Sequence, residues 1–489
     1  MQLKNLQKWG QPLIQAIVSL LMLFLLVSSG FLPMKYLGIA VVLVLLFLLI
    51  SFLTARSESL AARSIGAILA VIVCIILIVA AVFLHQIMSA LNRVAGTDTQ
   101  IDSIVVIVQA SDPAKAIEDT SGYSFGSYEG QDQEDLKQTV EEVAVLNGDT
   151  GLSAASYESS LDLANALLDG EVDAMICNKA YTALLDDAIK DFSTRTRVIY
   201  EKEFETDIRT VIDRGEGGEE YVEYGKEISY TEDSYNILIS GIDVSGPINT
   251  SSRSDVNIIM TVNPRTHNIQ LTTTPRDYFV EIPGISGGKR DKLTHAGVYG
   301  VRTSMRTLEK LYGVVIHDYI RINFDSLVQL VDALGGVDVN SEVEFDAGEN
   351  HFVKGINHLN GEQALTFSRV RYAFADGDNQ RGRNQMLVLS AIIDKLQSPA
   401  LLKNPTGVLD VVSRSMQTSV SSSNISKVIA WQLDNPTGWT ITRQSVTGID
   451  DQQETFSMPG MELYVMWPDE ESVTDARDAI RQVMKAEIK

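Results

Sequence analysis

Three long apolar runs fill the beginning of this 489-residue chain. They are Leu13–Val27, Leu37–Leu53 and Ile65–Leu84, and none of them contains a charged residue. The third run is long enough to cross a bilayer as a helix, and the first two reach that length with their flanks. Three such runs in close succession favour membrane spans over core helices or a cleavable signal peptide. The pattern predicts three transmembrane helices within residues 13–88.

The cations that flank the apolar runs predict the orientation of the spans. Lys4 and Lys8 precede the first run, and Arg56 and Arg63 lie between the second and third. Only Lys35 lies between the first and second runs. Because cytoplasmic loops carry an excess of Lys and Arg, residues 1–12 are expected in the cytoplasm. Three crossings then place the remainder of the chain outside the cell.

Beyond the spans, short β-rich runs alternate with helix-like segments. This alternation is typical of an α/β fold. It predicts a small α/β accessory domain and the start of a linker over about residues 89–225. The charged linker itself runs from Thr206 to Asp233 and leads into the next domain. The expected strands are Ile101–Val108, Val172–Cys177 and Arg197–Glu203, and the expected helices are Glu134–Leu146, Tyr157–Leu168 and Ala180–Phe192.

A second and larger α/β/α domain with a mixed sheet is expected over residues 226–489. Its first three strands are predicted to form antiparallel meanders. The join at 264–267 is short enough for a hairpin, and the loop Val244–Ser254 also allows antiparallel pairing of the first two strands. Its strands are predicted at Asn236–Ile242, Val256–Asn263, Asn268–Thr274, Trp439–Ser445 and Leu463–Trp467. Its helices are predicted at Arg302–Leu311, Phe324–Leu334, Gly361–Phe367, Asn379–Leu396, Gly407–Thr418, Ile425–Leu433 and Ser472–Glu487.

The charge of the chain excludes several classes of function. The formal net charge is −23, and residues 89–489 hold 35 Lys or Arg against 62 Asp or Glu. An acidic domain repels nucleic acid, so no nucleic-acid partner is expected. Cys74 and Cys177 face different environments and are not expected to pair. The six histidines show no zinc-ligand spacing.

Three polar residues are expected to meet at one edge of the larger domain's sheet. Asp243 ends the first strand, Asp255 begins the second, and Arg276 follows the third. Antiparallel pairing puts the end of one strand beside the start of the next. Two carboxylates at one place suit Mg²⁺ together with phosphate oxygens, and the alternative interpretation is that both aspartates simply cap turns. Arg253 could share a face with Asp255 or form an ion pair within its loop.

The segment Ser368–Gln385 carries four arginines in an acidic chain. Planar guanidinium groups match the oxygens of phosphate, so the segment indicates an anion site. Arg369 and Arg371 point the same way if the chain is extended there, and an exposed salt-bridge network is the alternative interpretation. Three further residues share one face if the following segment is a helix: Asp378, Arg381 and Gln385.

Lys289, Arg290 and Lys292 form a second short cationic stretch. They are either another wall of an anion site or part of a solvated loop. Lys292 is the strongest candidate, because it abuts a predicted helix start.

Taken together, these segments resemble the LytR-CpsA-Psr family, and the whole chain is similar to its streptococcal capsule-locus members of the CpsA/Wzg type. The resemblance covers the three spans, the accessory domain and a catalytic domain that runs from about Ser234 to the C-terminus. The motifs that carry it are G-I-D at 241–243, S-R-S-D-V at 252–256, T-P-R-D at 274–277, D-K-L-T-H-A at 291–296, L-G-G-V-D at 334–338, S-R-V-R-Y at 368–372 and D-G-D-N-Q-R-G-R-N-Q at 376–385.

The resemblance implies a Mg²⁺-dependent phosphotransferase, multi-pass in the membrane of a Gram-positive bacterium, whose catalytic domain is extracytoplasmic. It would move a glycopolymer such as capsular polysaccharide from a polyprenyl pyrophosphate lipid onto peptidoglycan, alongside capsule-assembly proteins. The resemblance also implies the roles of single residues. Asp243 and Asp255 would hold Mg²⁺, Asp378 would orient arginines, and the catalytic group would be Arg276, Arg369, Arg371 and Asp255. The pyrophosphate would lie among Arg253, Arg276, Lys292, Arg369, Arg371, Arg381 and Gln385.

Two other functions are alternatives to glycopolymer transfer. The outer part of the chain could bind polyprenyl phosphate and regulate capsule assembly without turnover. A transcription regulator, which the family's name evokes, is opposed by the predicted topology and by the acidic outer domain.

Overall fold

The computed structural model describes residues 2–94, 99–128, 133–208, 210–213, 220–223, 228–242, 247–374, 377–397 and 405–487. Its architecture is α/β, as the sequence predicts. Three apolar helices precede two α/β units, and every sheet of the two units lies beyond the third helix.

The three N-terminal helices are long and apolar enough to cross a membrane. They are α1 (Gln2–Ser29), α2 (Met34–Arg56) and α3 (Leu60–Val94), and they pack against one another. At 1.5 Å per residue, the 35 residues of α3 extend about 52 Å, whereas the hydrocarbon core of a bilayer is about 30 Å thick. An α3 helix that crosses a bilayer along its normal would extend beyond the hydrocarbon core.

The smaller unit is built on a five-stranded sheet with the order β3-β2-β4-β1-β5. Its elements are β1 (Thr99–Gln109), β2 (Phe125–Tyr128), α4 (Gln133–Leu146), β3 (Ala154–Tyr157), α5 (Ser160–Asp169), β4 (Ala174–Asn178), α6 (Ala180–Ala188), α7 (Phe192–Arg195) and β5 (Thr196–Asp207), with a 3-10 turn at Ile117–Asp119.

Two predicted helices of this unit have different bounds. The helix expected from Tyr157 begins at Ser160. The Ser159 side chain caps it by accepting a hydrogen bond from the backbone N–H of Asp162. The helix expected over Ala180–Phe192 divides into α6 and α7, since Asp191 adopts a left-handed conformation with φ of 61°.

Part of the predicted linker is a hairpin. Strands β6 (Thr210–Asp213) and β7 (Glu220–Glu223) pair antiparallel, so the segment after β5 has regular structure.

The larger unit contains a six-stranded mixed sheet and the remaining helices. It begins with β8 (Tyr235–Ile242), β9 (Ser254–Asn263), β10 (Asn268–Thr273), β11 (Phe279–Glu281), β12 (Arg290–Lys292), a 3-10 helix (Leu293–Tyr299), α8 (Val301–Tyr312), β13 (Asp318–Asn323), α9 (Phe324–Ala333), β14 (Val337–Ser341), β15 (Phe345–Ala347), β16 (Asn350–Phe352), β17 (Gly355–Leu359) and α10 (Gly361–Arg369). It continues with α11 (Gly377–Leu396), α12 (Pro405–Ser415), β18 (Met416–Thr418), α13 (Ser422–Asp434), β19 (Thr440–Ser445), β20 (Gly448–Thr455), β21 (Met458–Pro468) and α14 (Glu470–Lys485).

The sheet order is β18-β13-β8-β9-β10-β19. The predicted meander is confirmed, because β9 pairs antiparallel with both β8 and β10. The helix predicted over Gly407–Thr418 is wrong in its last turn. Residues Met416–Thr418 instead form the edge strand β18, which pairs with β13.

The two α/β units share one hydrophobic core. Leu184 of α6 belongs to the same buried cluster as Val298, Met458 and Leu463 of the larger unit. The smaller unit is therefore packed directly against the β20–β21 hairpin and the 3-10 helix.

Candidate active site

The start of β9 and the segment after β10 meet at the same end of these two neighbouring strands. The Nη1 atom of Arg276 lies 3.0 Å from Oδ1 of Asp255, to which it donates a hydrogen bond. The Thr294 hydroxyl donates to the same oxygen over 3.1 Å. The structure thus brings together two of the residues that antiparallel pairing predicted to meet.

Asp277, which is not among the predicted site residues, contacts two of the predicted cations. Its Oδ1 accepts a hydrogen bond of 3.0 Å from Lys292 Nζ, and its Oδ2 lies 3.5 Å from Arg276 Nε. The side chains of Asp277, Lys292 and Arg276 are only 8%, 10% and 18% exposed. The signal was present in the T-P-R-D motif, where Asp277 directly follows Arg276.

The 3-10 helix lies against the backbone that precedes Asp255. A Cβ atom added to Gly297 would lie 2.5 Å from Ser252 O and 2.6 Å from Ser254 N. Only glycine allows this approach, which holds Thr294 within hydrogen-bonding distance of Asp255.

A buried network fixes the other side of this helix. Oδ1 of Asp291 lies 2.6 Å from Nδ1 of His295, and its Oδ2 accepts the amide of Ser457 over 3.0 Å. Burial raises the pKa of the Tyr299 phenol, which lies 3.1 Å from the Ser457 hydroxyl. The network ties β12, and with it Lys292, to the β20–β21 hairpin.

Helix α11 supplies a second set of predicted residues. Arg381 and Gln385 line a narrow cleft together with Asp255 and Arg276. Arg381 is buried, and its neighbour Gly382 lies close to Thr273 of β10. The helical face predicted for Arg381 and Gln385 is therefore turned toward the sheet edge.

A larger cleft of about 580 Å³ lies beside this edge. Three predicted cations line it: Arg276, Lys292 and Arg371. Four apolar and aromatic residues line it as well: Tyr372, Phe374, Leu463 and Tyr464. A cationic group beside an apolar surface fits a ligand that has both a phosphate part and an organic part.

Arg369 and Arg371 do not lie side by side on extended chain, and that prediction is wrong. Helix α10 continues through Arg369 instead of ending near Phe367. The Arg369 guanidinium lies 4.2 Å from the centroid of the Phe324 ring, whereas Arg371 lines the cleft.

Arg253 forms an ion pair with Asp187 of the smaller unit. The sequence allows an ion pair within the loop that contains Arg253. In the structure, the ion pair instead joins Arg253 to the smaller unit. Asp243 lies outside the described residues, as does the side chain of Asp378.

No group of three or more potential metal-ligating side chains occurs among the residues that the structure describes. Asp255 offers one carboxylate, and its predicted partner Asp243 lies outside the described residues. A hard oxygen donor of this kind fits Mg²⁺, which takes few protein ligands together with phosphate oxygens and water.

Comparisons with known proteins give the same family as the sequence motifs. The model of the LytR_cpsA_psr family matches residues 204–467, more than half of the chain. The chain is 38% identical over 191 residues to a protein of Bacillus cereus named polyisoprenyl-teichoic acid–peptidoglycan teichoic acid transferase TagU. It is 36% identical over 199 residues to a protein of the same name from Enterococcus faecalis.

These matches cover 39% and 40% of this chain, and 62% and 65% of the two relatives. The chain thus spans less than two thirds of the length of the curated relatives that it matches. Among solved structures, Bacillus subtilis TagV is 25% identical, with a TM-score of 0.45 over 53% of this chain and 99% of that one. A structure described as TagT bound to LI-WTA is 26% identical, with a TM-score of 0.43 over 53% and 94% of the two chains.

Proposed function

Because the chain belongs to the LytR-CpsA-Psr family, we propose that it transfers a glycopolymer from a polyprenyl pyrophosphate lipid to peptidoglycan. Relatives named as polyisoprenyl-teichoic acid–peptidoglycan transferases support this class of reaction. The observation that carries the proposal is the convergence of Arg276, Lys292 and Arg371 on one cleft of an otherwise acidic chain. For the polymer we propose a capsular polysaccharide, on the resemblance of the whole chain to capsule-locus members of the family.

In the proposed reaction, a hydroxyl oxygen of peptidoglycan attacks the phosphorus that carries the polymer. A new phosphodiester bond forms, the bond to the bridging oxygen breaks, and polyprenyl phosphate leaves. The hydroxyl proton passes to a general base, for which Asp255 is one candidate. Negative charge grows on the leaving phosphate, and fixed cations that face it stabilise the transition state. Asp277 holds two of these cations, Arg276 and Lys292, in position before substrate arrives.

Arg381 and Gln385 are proposed to contact the phosphates from the α11 side, since they share the narrow cleft with Arg276. Arg369 is proposed to reach the same ligand from the end of α10, and Asp378 to orient arginines.

Mg²⁺ is proposed as the cofactor, with Asp255 and Asp243 as its protein ligands. Bound there, it would neutralise phosphate charge. Removal of divalent cations with EDTA is expected to abolish turnover, and added Mg²⁺ is expected to restore it. Turnover that persists in EDTA would contradict the assignment.

We propose that the catalytic unit faces the outside of a Gram-positive cell. Lys35, at the start of α2, lies 2.5 Å from Asp434 of the larger unit, and Arg93, at the end of α3, lies 3.8 Å from Asp410. Both contacts place the α1–α2 connection and the end of α3 on the side of the larger unit. The cation pattern of the sequence makes this the outer side.

The function is tested by turnover of a lipid-linked glycopolymer by the purified full-length chain. Replacing Arg276 with Ala is expected to lower the rate about 10²–10³-fold, as removal of one preorganised charge-stabilising donor does. Arg265→Ala is the matched control, since Arg265 is exposed in the turn between β9 and β10, at the opposite end of these strands. Equal rates for wild type and Arg276→Ala would remove the proposal.

A further inference from the structure

The smaller α/β unit places a carboxylate in the cationic cleft. Asp187 lines the cleft together with Arg276, Lys292 and Arg371, and it forms an ion pair with Nη1 of Arg253. Arg253 itself is not among the residues that line this cleft. Within this ion pair, Asp187 is thus the residue that lines the cleft.

The negative charge of Asp187 lies at the C-terminal end of α6, where it destabilises the helix. Asp187 lies in the last turn of α6, where the carbonyl end of the helix dipole disfavours a negative charge. No basic residue lies in that turn, and the preceding residue is Asp186. The Asp186 carboxylate is stabilised within its own unit, because it accepts a hydrogen bond of 2.8 Å from the backbone N–H of Ser193. Asp187 instead finds its described ion-pair partner across the interface, in Arg253.

Packing fixes α6 relative to the cleft. Tyr181 of α6 is buried and meets Tyr299 of the 3-10 helix edge-on, with ring centroids 6.5 Å apart. Leu184 and Leu185 lie in the core that both units share. The carboxylate of Asp187 is thus held at the cleft by an extensive interface rather than by the ion pair alone.

We propose that Asp187 is an internal competitor for substrate phosphate at Arg253. This inference rests on the proposed function, because it takes the cleft to be a pyrophosphate site and takes Arg253 to be one of its cations, as the family resemblance implies. A carboxylate mimics one face of a phosphate group, and both bind a guanidinium through paired oxygens. A pyrophosphate carries more charge and more acceptor oxygens, so it displaces the carboxylate, whereas weaker anions do not. The smaller unit thereby sets the affinity and the selectivity of the phosphate site.

The test is a binding titration of full-length protein in detergent with geranylgeranyl pyrophosphate, an isoprenyl diphosphate, at a fixed detergent concentration. Asp187→Asn removes the competing charge and retains the size of the side chain. We expect the dissociation constant to fall about two- to five-fold, a range set by the modest energy of a partly exposed ion pair. In an Arg253→Ala background the same substitution is expected to have no effect, because the competition then has no target.

Asp186→Asn is the matched control, since it removes the same charge from the adjacent position of the same helix. We expect it to leave the dissociation constant unchanged. Equal tightening by Asp186→Asn and Asp187→Asn would overturn the proposal, because a general charge effect would then account for both. Affinity that is unchanged or weakened in Asp187→Asn would overturn it as well.

Failure of the underlying function has a different signature. Wild-type protein would then not bind the diphosphate, or Arg276→Ala would bind it as tightly as wild type. Binding that depends on Arg276 but not on Asp187 refutes only the competitor role.

Discussion

At the scale of single residues, two carboxylates hold the cations of the site: Asp255 contacts Arg276, and Asp277 contacts both Arg276 and Lys292. Arg276 and Asp255 could be placed together because strand pairing alone fixes their positions. The role of Asp277 needed the positions of β11 and β12, which pair so that Lys292 returns beside it. Sequence spacing does not reveal such a contact, since 15 residues separate the two side chains.

The ion pairs of Asp277 give a prediction about stability. Asp277→Ala removes the carboxylate that Lys292 contacts and one of the two carboxylates that contact Arg276. Because these side chains are largely buried, the free energy of unfolding is expected to fall by about 3 kcal/mol. The measurement is the midpoint of thermal unfolding in detergent.

Glu281→Ala is the comparison variant. It breaks an ion pair with Lys310, whose side chains are 36% and 53% exposed, and is expected to cost less than about 1 kcal/mol. Equal losses in the two variants would show that Asp277 does not act through its buried cations.

At the scale of elements, long periodic segments are predicted well and short ones are not. The meander of β8, β9 and β10 follows from the joins between these strands. The sequence predicts a helix at the position of β18, because three residues carry no period and only pairing with β13 makes them a strand. The predicted end of α10 lies two residues before the observed end at Arg369, so Arg369 belongs to the helix.

The close approach of the 3-10 helix to β9 gives a prediction at this scale. Gly297→Ala would place a methyl group 2.5 Å from Ser252 O, and neither backbone can move without separating Thr294 from Asp255. The substitution is expected to destabilise the protein by about 1–3 kcal/mol and to lower turnover. Thermal unfolding and turnover assays measure the two effects.

Gly438→Ala is the control for this substitution, because a Cβ atom at Gly438 meets no atom within 4 Å. It is expected to change neither quantity. A fully stable and fully active Gly297→Ala protein would contradict the role given to this contact.

At the scale of the whole molecule, the order of apolar and α/β segments is readable from composition, but the contacts between them are not. Nothing in the sequence pairs Asp187 with Arg253, since 66 residues separate them and the contact depends on how two units pack. The shared core of those units and the contacts of α12 with α3 likewise belong to tertiary structure.

The proposed orientation gives a prediction that labelling can test. Gln452, on β20, and Ser59, between α2 and α3, are both exposed. In intact cells, a membrane-impermeant maleimide is expected to label Gln452→Cys but not Ser59→Cys, which reacts only after the membrane is permeabilised. Native Cys177 is buried and Cys74 lies within α3, so both are expected to contribute little background. Labelling of Ser59→Cys but not Gln452→Cys in intact cells would contradict the proposed orientation and indicate the opposite one.

The central claim is that the cationic cleft joins a polymer covalently to the cell wall. The most direct measurement combines full-length protein in liposomes, lipid-linked capsular polysaccharide and peptidoglycan, followed by muramidase digestion and mass analysis of the fragments. Wild-type protein is expected to yield fragments that carry polymer through a phosphodiester bond, and Arg276→Ala is expected to form them about 10²–10³-fold more slowly. Polymer that stays on its lipid carrier, although the protein binds that lipid, would contradict the account and identify a binding protein instead.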